Sequence, residues 1–336
     1  MIMETKVTLK ILYVLVCSNR DYYFEQFLLS VTSLRRNMTN IEVMVLIDDK
    51  TRSYLNERKE LWGNFVDKLI AVPFPSGLSG KQRSRWLKTS MRQHIEGDFL
   101  YIDCDTVIAD DLSGISDFDG DIGAVLDYHC LKKLSLERQL HYRSHFEKTD
   151  KTVGFHLSSP EWDSLFNSGV IFCRDTEPSR LFFEEWHRLW NLSVSHGIMT
   201  DQQSFYEANY RQNGIVKELD GKWNCQVIVA GAVKYLATAS IIHYYNVEWD
   251  DWRHTYLLAD NEIFEQIRRH GITEGIQMLL AEPRNAFCDH AAIVDFPQID
   301  RRNIDNICTR DLCRIVLKRI FRKIGFLRKD EAGQYG

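Results

Sequence analysis

The sequence predicts an α/β fold, a sheet with parallel strands and helices on both faces. Three observations carry the prediction. Short apolar runs alternate with longer runs of helical period, the apolar share is 44% over 336 residues, and no internal repeat interrupts the pattern.

The elements follow in order. "LKILYVLV" reads as the first strand; the run "ILYVLVC" is only seven residues long and no A-x-A-like cleavage site follows it, so a secretory leader is not the expectation. "YYFEQFLLSVTSLRRN" puts Phe24, Phe27, Leu28, Val31 and Leu34 at helical spacing. "IEVMVLID", the helix-like "RSYLNERKELW", "KLIAVPF", the helix-like "RWLKTSMRQHI" and "FLYIDCD" continue the alternation. "DIGAVLD" is a further strand. Residues 130–164 then lose periodicity and read as a long surface excursion. Order resumes with "LFNSGVIFC", the helices "PSRLFFEEWHRLW" and "TDQQSFYEANY", and the apolar run "YLATASIIHYY". We divide the chain into one domain over residues 1–250 and a helical extension over residues 251–336.

Composition narrows the function. Residues 301–336 hold 10 Lys/Arg against 4 Asp/Glu, which leaves 32 basic and 43 acidic residues before them, a body of −11 and a tail of +6. A basic tail on an acidic body points to an anionic partner. Within 307–329, Leu312, Ile315, Val316, Ile320, Ile324 and Leu327 share one helical face, with basic residues largely around the other. That pattern fits peripheral docking on an anionic membrane, and equally a terminal helix packed on the body. No zinc motif accompanies it, so nucleic acid is not the expected partner. No apolar stretch approaches the roughly 20 residues of a membrane-spanning helix. Eight cysteines without a C-x-x-C pair, several inside apolar runs, read as free thiols of a reducing compartment. The expected location is cytoplasmic.

The informative stretch is "FLYIDCDTVI", where a buried strand ends on Asp103 and Asp105. On an extended backbone the two carboxylates point the same way and repel unless a cation lies between them, which favours a hard divalent ion shared with phosphates. Capping or turn chemistry is the plainer reading. "DCDTV" also matches the signature of haloacid dehalogenase-type phosphatases, although that fold opens with this strand and here about a hundred residues precede it.

Taken in order, "FLYIDCDTVI", "FNSGVIF", "DQQSF" and "IIHYY" resemble glycosyltransferase family 8, the retaining group that includes glycogenin-like and lipopolysaccharide galactosyltransferase-like enzymes. The resemblance spans roughly residues 9–246. It implies a GT-A-type, Rossmann-like mixed sheet flanked by helices. It also implies a metal-dependent hexosyltransferase of polysaccharide biosynthesis, moving a hexose from a nucleotide sugar, UDP-linked, to a glycan or lipid-linked acceptor. Asp103, Asp105 and His243 would hold Mn2+ or Mg2+, and an O,O,N set leans towards Mn2+. Asn167, Asp201 and Gln202 match positions at the donor sugar, and Asp127 matches a sugar- or acceptor-contacting acid. Turn and cap roles remain the alternative for these residues.

Cys17, Ser18 and Asn19 take the place of the base and ribose site, where family members often carry an acid. Cys104 lies between the metal acids. Arg85 falls near a family arginine; Lys88, one turn on, either faces the donor with it or belongs to a solvated basic face. Trp249 stands near the place of a family lysine, and Arg253 would substitute for that lysine on the diphosphate. An inactive binding protein on the same scaffold is the other alternative.

Overall fold

The computed structural model describes residues 9–134, 136–158, 165–245 and 256–287. Strands β1 (Lys10–Leu15), β2 (Glu42–Ile47) and β3 (Lys68–Ala71) pair in parallel, and β4 (Phe99–Ile102) pairs in parallel with the other edge of β1. After β5 (Thr106–Ile108) and β6 (Ile122–Leu126), β7 (Phe166–Cys173) runs antiparallel to both β4 and β6. With β8 (Val216–Glu218) parallel to β6, the sheet order is β3-β2-β1-β4-β7-β6-β8, a mixed sheet. A second sheet, β5-β10-β9, uses β9 (Cys225–Gln226) and β10 (Ile241–His243).

Burial on both faces explains why the strands read as continuous apolar runs. Ile11, Tyr13, Leu15 and Cys17 join one core cluster, while Leu12, Val14 and Val16 join the other. The first cluster lies under α1 (Tyr23–Asn37). The second lies under α4 (Gly80–Ser90), α6 (Glu177–Ser195) and α7 (Gln202–Arg211). Short helices α2 (Asp49–Asn56) and α3 (Lys59–Trp62) lead into β3, and α8 (Val233–Leu236) breaks the "YLATASIIHYY" run before β10. Helix starts are capped as their sequences demand: Ser79 and Gln82 form a capping box on α4, Thr176 and Ser179 form another on α6, and the Asp48 side chain accepts from Thr51 at α2.

One expectation is corrected. Within the supposed excursion of residues 130–164 lies α5 (Leu136–Val153), an 18-residue helix. Its periodicity is faint because Phe146 and Thr149 are fully buried while His141, Arg143, Ser144, His145 and Lys148 face solvent. Beyond the apolar run, residues 256–287 hold α9 (Asn261–His270) and α10 (Glu274–Ala281). Tyr256, Leu258, Phe264 and Ile267 share the core cluster of α1. The basic segment 307–329 lies outside the described residues. Among the described residues no helix is long and apolar enough to cross a membrane, and Cys17, Cys104, Cys173 and Cys225 are free thiols.

The aromatic joint of α6 with α7 also serves the site. Trp186 is fully buried, its ring 4.8 Å from that of Phe205, and its indole N–H donates to the Asp201 carbonyl at 3.1 Å. Trp186→Ala is expected to cost about 3–5 kcal/mol, the range for truncating a buried aromatic. A urea midpoint unchanged from the wild type would contradict this packing role.

Candidate functional site

The site starts where β4 stops. After Ile102 the chain leaves the sheet over Asp103, Cys104 and Asp105 before β5 begins at Thr106, so the acids stand on a loop and not on extended strand. That loop is pinned from several sides. The Asp103 N–H donates to the Gly169 carbonyl at 2.7 Å, and Tyr244 N–H donates to the Asp105 carbonyl at 3.1 Å. The Thr106 hydroxyl donates to the Asp103 carbonyl at 2.8 Å, backed by Ser30 at 2.9 Å and then Tyr13 at 3.0 Å.

Strand pairing brings in the third residue of the cluster. β10 lies antiparallel to β5 with His243 opposite Thr106. One ligand atom from each of Asp103, Asp105 and His243 then falls within 4.8 Å of the other two. His243 is 1% exposed and stacked on Tyr245 at 3.9 Å. Its Nδ1 is hydrogen-bonded to Asn224 Oδ1 at 3.0 Å, while Nε2, buried and 3.3 Å from Asp105 Oδ1, makes no hydrogen bond. A buried nitrogen aimed at two carboxylates without a proton partner suits a metal ion. A set of two carboxylate oxygens and one imidazole nitrogen could hold a divalent ion, so the residues present fit the kind of metal that the family resemblance implies.

Around this seat the charges interlock. Lys88 Nζ lies 3.1 Å from Asp103 Oδ2 and 3.3 Å from Asp201 Oδ2, and Arg85 Nε lies 2.9 Å from Asp201 Oδ1. At 3% exposure Lys88 is a buried bridge, which rules out the solvated face. Burial alone would push the Asp201 carboxyl up, but Arg85 and Lys88 outweigh it and hold the group well below the usual carboxylate range. Asp201 correspondingly raises the Arg85 guanidinium. The Tyr101 hydroxyl donates to Asp103 Oδ1, and burial keeps that phenol protonated.

In front of the seat opens a cleft of about 620 Å3. It gathers Cys17, Ser18, Asn19 and Cys104 with Arg85, Asp103 and Asp105. Burial pushes both thiols up, so Cys17 and Cys104 present neutral S–H groups. Lys50, Lys81 and Arg83 add positive charge to the rim, Arg83 being anchored on buried Asp48.

Sequence reasoning missed the acid of this cleft, Asp21, which lies beyond the Cys17–Asn19 stretch where an acid was sought. Its Oδ2 accepts from Ser18 at 2.7 Å, and its carbonyl accepts from Arg268 of α9. Arg268 also pairs with buried Glu25 at 2.9 Å and covers the Tyr22 ring at 4.5 Å. The α9 segment thus clamps one wall of the cleft. No short-range pattern announces a partner some 240 residues away; only the buried acid Glu25 on an apolar helix face hints at one.

The remaining predicted residues stand behind the seat. Asp127 is 4% exposed, accepts from Tyr206 and from Asn167 at 2.9 Å, and burial raises its carboxyl. Gln202 Nε2 donates to the Phe166 carbonyl, while Oε1 accepts from Ser168 Oγ at 2.9 Å and Ser168 N at 3.2 Å. Arg253 and Trp249 lie outside the described residues.

Residues 98–253 match the family model "Glycosyl transferase family 8". The chain carries a family 8 glycosyltransferase domain. Its span opens one residue before β4 and takes in Asp103, Asp105, Asn167, Asp201, Gln202 and His243, so every motif that carried the resemblance falls inside the glycosyltransferase domain. The phosphatase reading of "DCDTV" is thereby not favoured.

Among solved structures, the apo form of mouse xyloside xylosyltransferase 1 is similar at 15% identity over 71% of this chain and 98% of that one, with a TM-score of 0.48. GlyE of Streptococcus pneumoniae TIGR4 is similar at 14% identity over 82% of this chain, with a TM-score of 0.48; the chain spans 63% of the GlyE chain. No curated protein matches significantly.

Proposed function

We propose that the glycosyltransferase uses Mn2+ to move a hexose from a UDP-sugar to a glycan or lipid-linked acceptor, with retention of configuration. The convergence of Asp103, Asp105 and the unpartnered Nε2 of His243 carries this reading. The cleft beside them has the volume of a small-molecule site and a cationic rim suited to a diphosphate. Asp21 supplies a carboxylate able to accept the uracil N3–H, the role left open at Cys17 and Ser18.

When bound, the ion supplies positive charge against the negative charge that develops on the departing diphosphate. Arg85, at the cleft wall, adds to that field. Front-face attack fits the remaining groups. The Gln202 amide is occupied at both ends, and Asp201, held anionic between two cations, is a weak nucleophile. The acceptor oxygen then bonds to the anomeric carbon as the sugar–phosphate bond breaks, and the acceptor proton passes to a leaving phosphate oxygen.

For the basic segment 307–329 we propose peripheral docking at the cytoplasmic face of an anionic membrane, which would bring a lipid-linked acceptor to the cleft.

Thermal unfolding against UDP, GDP and CMP, with and without Mn2+, tests the donor reading, because a ligand of the folded state raises the midpoint. A Mn2+-dependent rise with UDP alone is the expected result. A rise that ignores Mn2+, or none with any nucleotide, would overturn it.

A further inference from the structure

We propose that Asn224 is a positioning residue that locks His243 into the tautomer needed at the seat. The inference rests on the metal reading above and deepens it, because it concerns how the third ligand is prepared.

One side-chain amide near the seat cannot flip. The backbone N–H of Gly169 donates to the Asn167 side chain at 2.9 Å. A backbone amide nitrogen only donates, so the Asn167 atom facing it is Oδ1, and Nδ2 turns the other way. There Nδ2 meets Asp127 Oδ1 at 2.9 Å and the Tyr245 hydroxyl at 2.5 Å, both able to accept. The orientation of Asn167 is therefore set at both ends.

Asn224, which is fully buried, comes next in the chain. Its amide contacts Asn167 Oδ1 at 2.9 Å, and an atom facing that oxygen must be the donor Nδ2. Asn224 Oδ1 then faces His243 Nδ1 at 3.0 Å, so Nδ1 must carry the hydrogen. In the neutral ring that leaves Nε2 as a lone pair, aimed at Asp105 and buried without a hydrogen bond. Three hydrogen bonds carry the direction of one backbone N–H to the seat.

This relay revises the role of Asn167. Both of its N–H bonds and both of its lone pairs are taken by Asp127, Tyr245, Gly169 and Asn224. No capacity remains for a donor sugar, so Asn167 orients Asn224 instead. Asp127, buried behind it, receives one of those bonds and fixes the far end. Second-layer hydrogen bonds of this kind commonly change metal affinity by 10- to 100-fold.

The test uses the full chain labelled with 15N-histidine, the His243 signals being identified by their loss in His243→Gln. In the metal-free wild type, His243 is expected as the Nδ1–H tautomer. Asn224→Leu, similar in size but unable to accept, is expected to lose that tautomer preference and to weaken Mn2+ binding, read by the free-ion EPR signal, by about tenfold or more. A wild-type His243 whose Nδ1 carries no proton, the Nε2–H tautomer, would overturn the relay, and that result needs no variant to fold. Unchanged Mn2+ affinity in a folded Asn224→Leu chain would overturn it as well. A wild type that shows the Nδ1–H tautomer but takes up no Mn2+ sinks the metal reading and leaves the hydrogen-bond relay intact.

Discussion

Replacing His243 with alanine is expected to abolish Mn2+-dependent nucleotide binding and to lower transfer by about 1000-fold or more. Metal stabilisation of a departing diphosphate is worth several kcal/mol, and each ~1.4 kcal/mol is tenfold in rate. Asp103→Ala should act in the same direction. Its Lys88 partner keeps Asp201 at 3.3 Å, so the ammonium is not left as an uncompensated buried charge and the fold should survive. Asp105→Ala completes the set, because the three ligand atoms form one cluster and two of them make a poorer seat. Circular dichroism confirms folding; nucleotide titration with and without Mn2+, followed by donor turnover, gives the effect. If folded His243→Ala and Asp103→Ala both bound nucleotide with wild-type Mn2+ dependence, the seat would lie elsewhere.

Much of this site is legible along the chain because it hangs on local signals. β4 is buried on both faces, so its apolar run is unbroken and its end at Ile102 conspicuous; the acids follow directly. β7 and β10 read in the same way, which places Gly169 and His243. What escapes the sequence are contacts made at long separation. Lys88 looks like one more cation on a polar helix, and only the fold sets it between Asp103 and Asp201. Asn224 sits in a short turn before β9, and its value depends on β9, β10 and β7 converging. Asp21 was overlooked because the acid was sought in line with β1, whereas the cleft wall curves past Ser18 before meeting it. α5 hid for a different reason: a helix burying so little of its surface leaves only a weak period to read.

Gly169→Ala tests the geometry of the seat with a single methyl group. A Cβ on Gly169 would collide with His243 Cε1 and stand 2.9 Å from both Asn167 Oδ1 and Asp103 Oδ2. Three residues meet there: two of the proposed ligands, His243 and Asp103, and Asn167, the anchor of the proposed relay. Gly169 lies inside a buried strand, so the cause is space and not an unusual backbone angle. His243 cannot yield cheaply, because Tyr245 stacks on its ring and Asn224 holds Nδ1. Overpacking a core position costs about 1–3 kcal/mol, which the fold should tolerate. The ligands should not, since a shift of about 1 Å at a preorganised centre costs on the order of 100-fold in function. Gly123→Ala is the control. Its Cβ would press on Phe118 at 2.8 Å and Leu219 at 2.9 Å, neither of them part of the seat. Both variants should lose comparable stability in thermal unfolding, but only Gly169→Ala should lose Mn2+ affinity and transfer. Equal Mn2+ affinity in the two variants would mean that the close approach of β7 to His243 serves packing alone, and that the ion, if held, is held by groups this glycine does not shape.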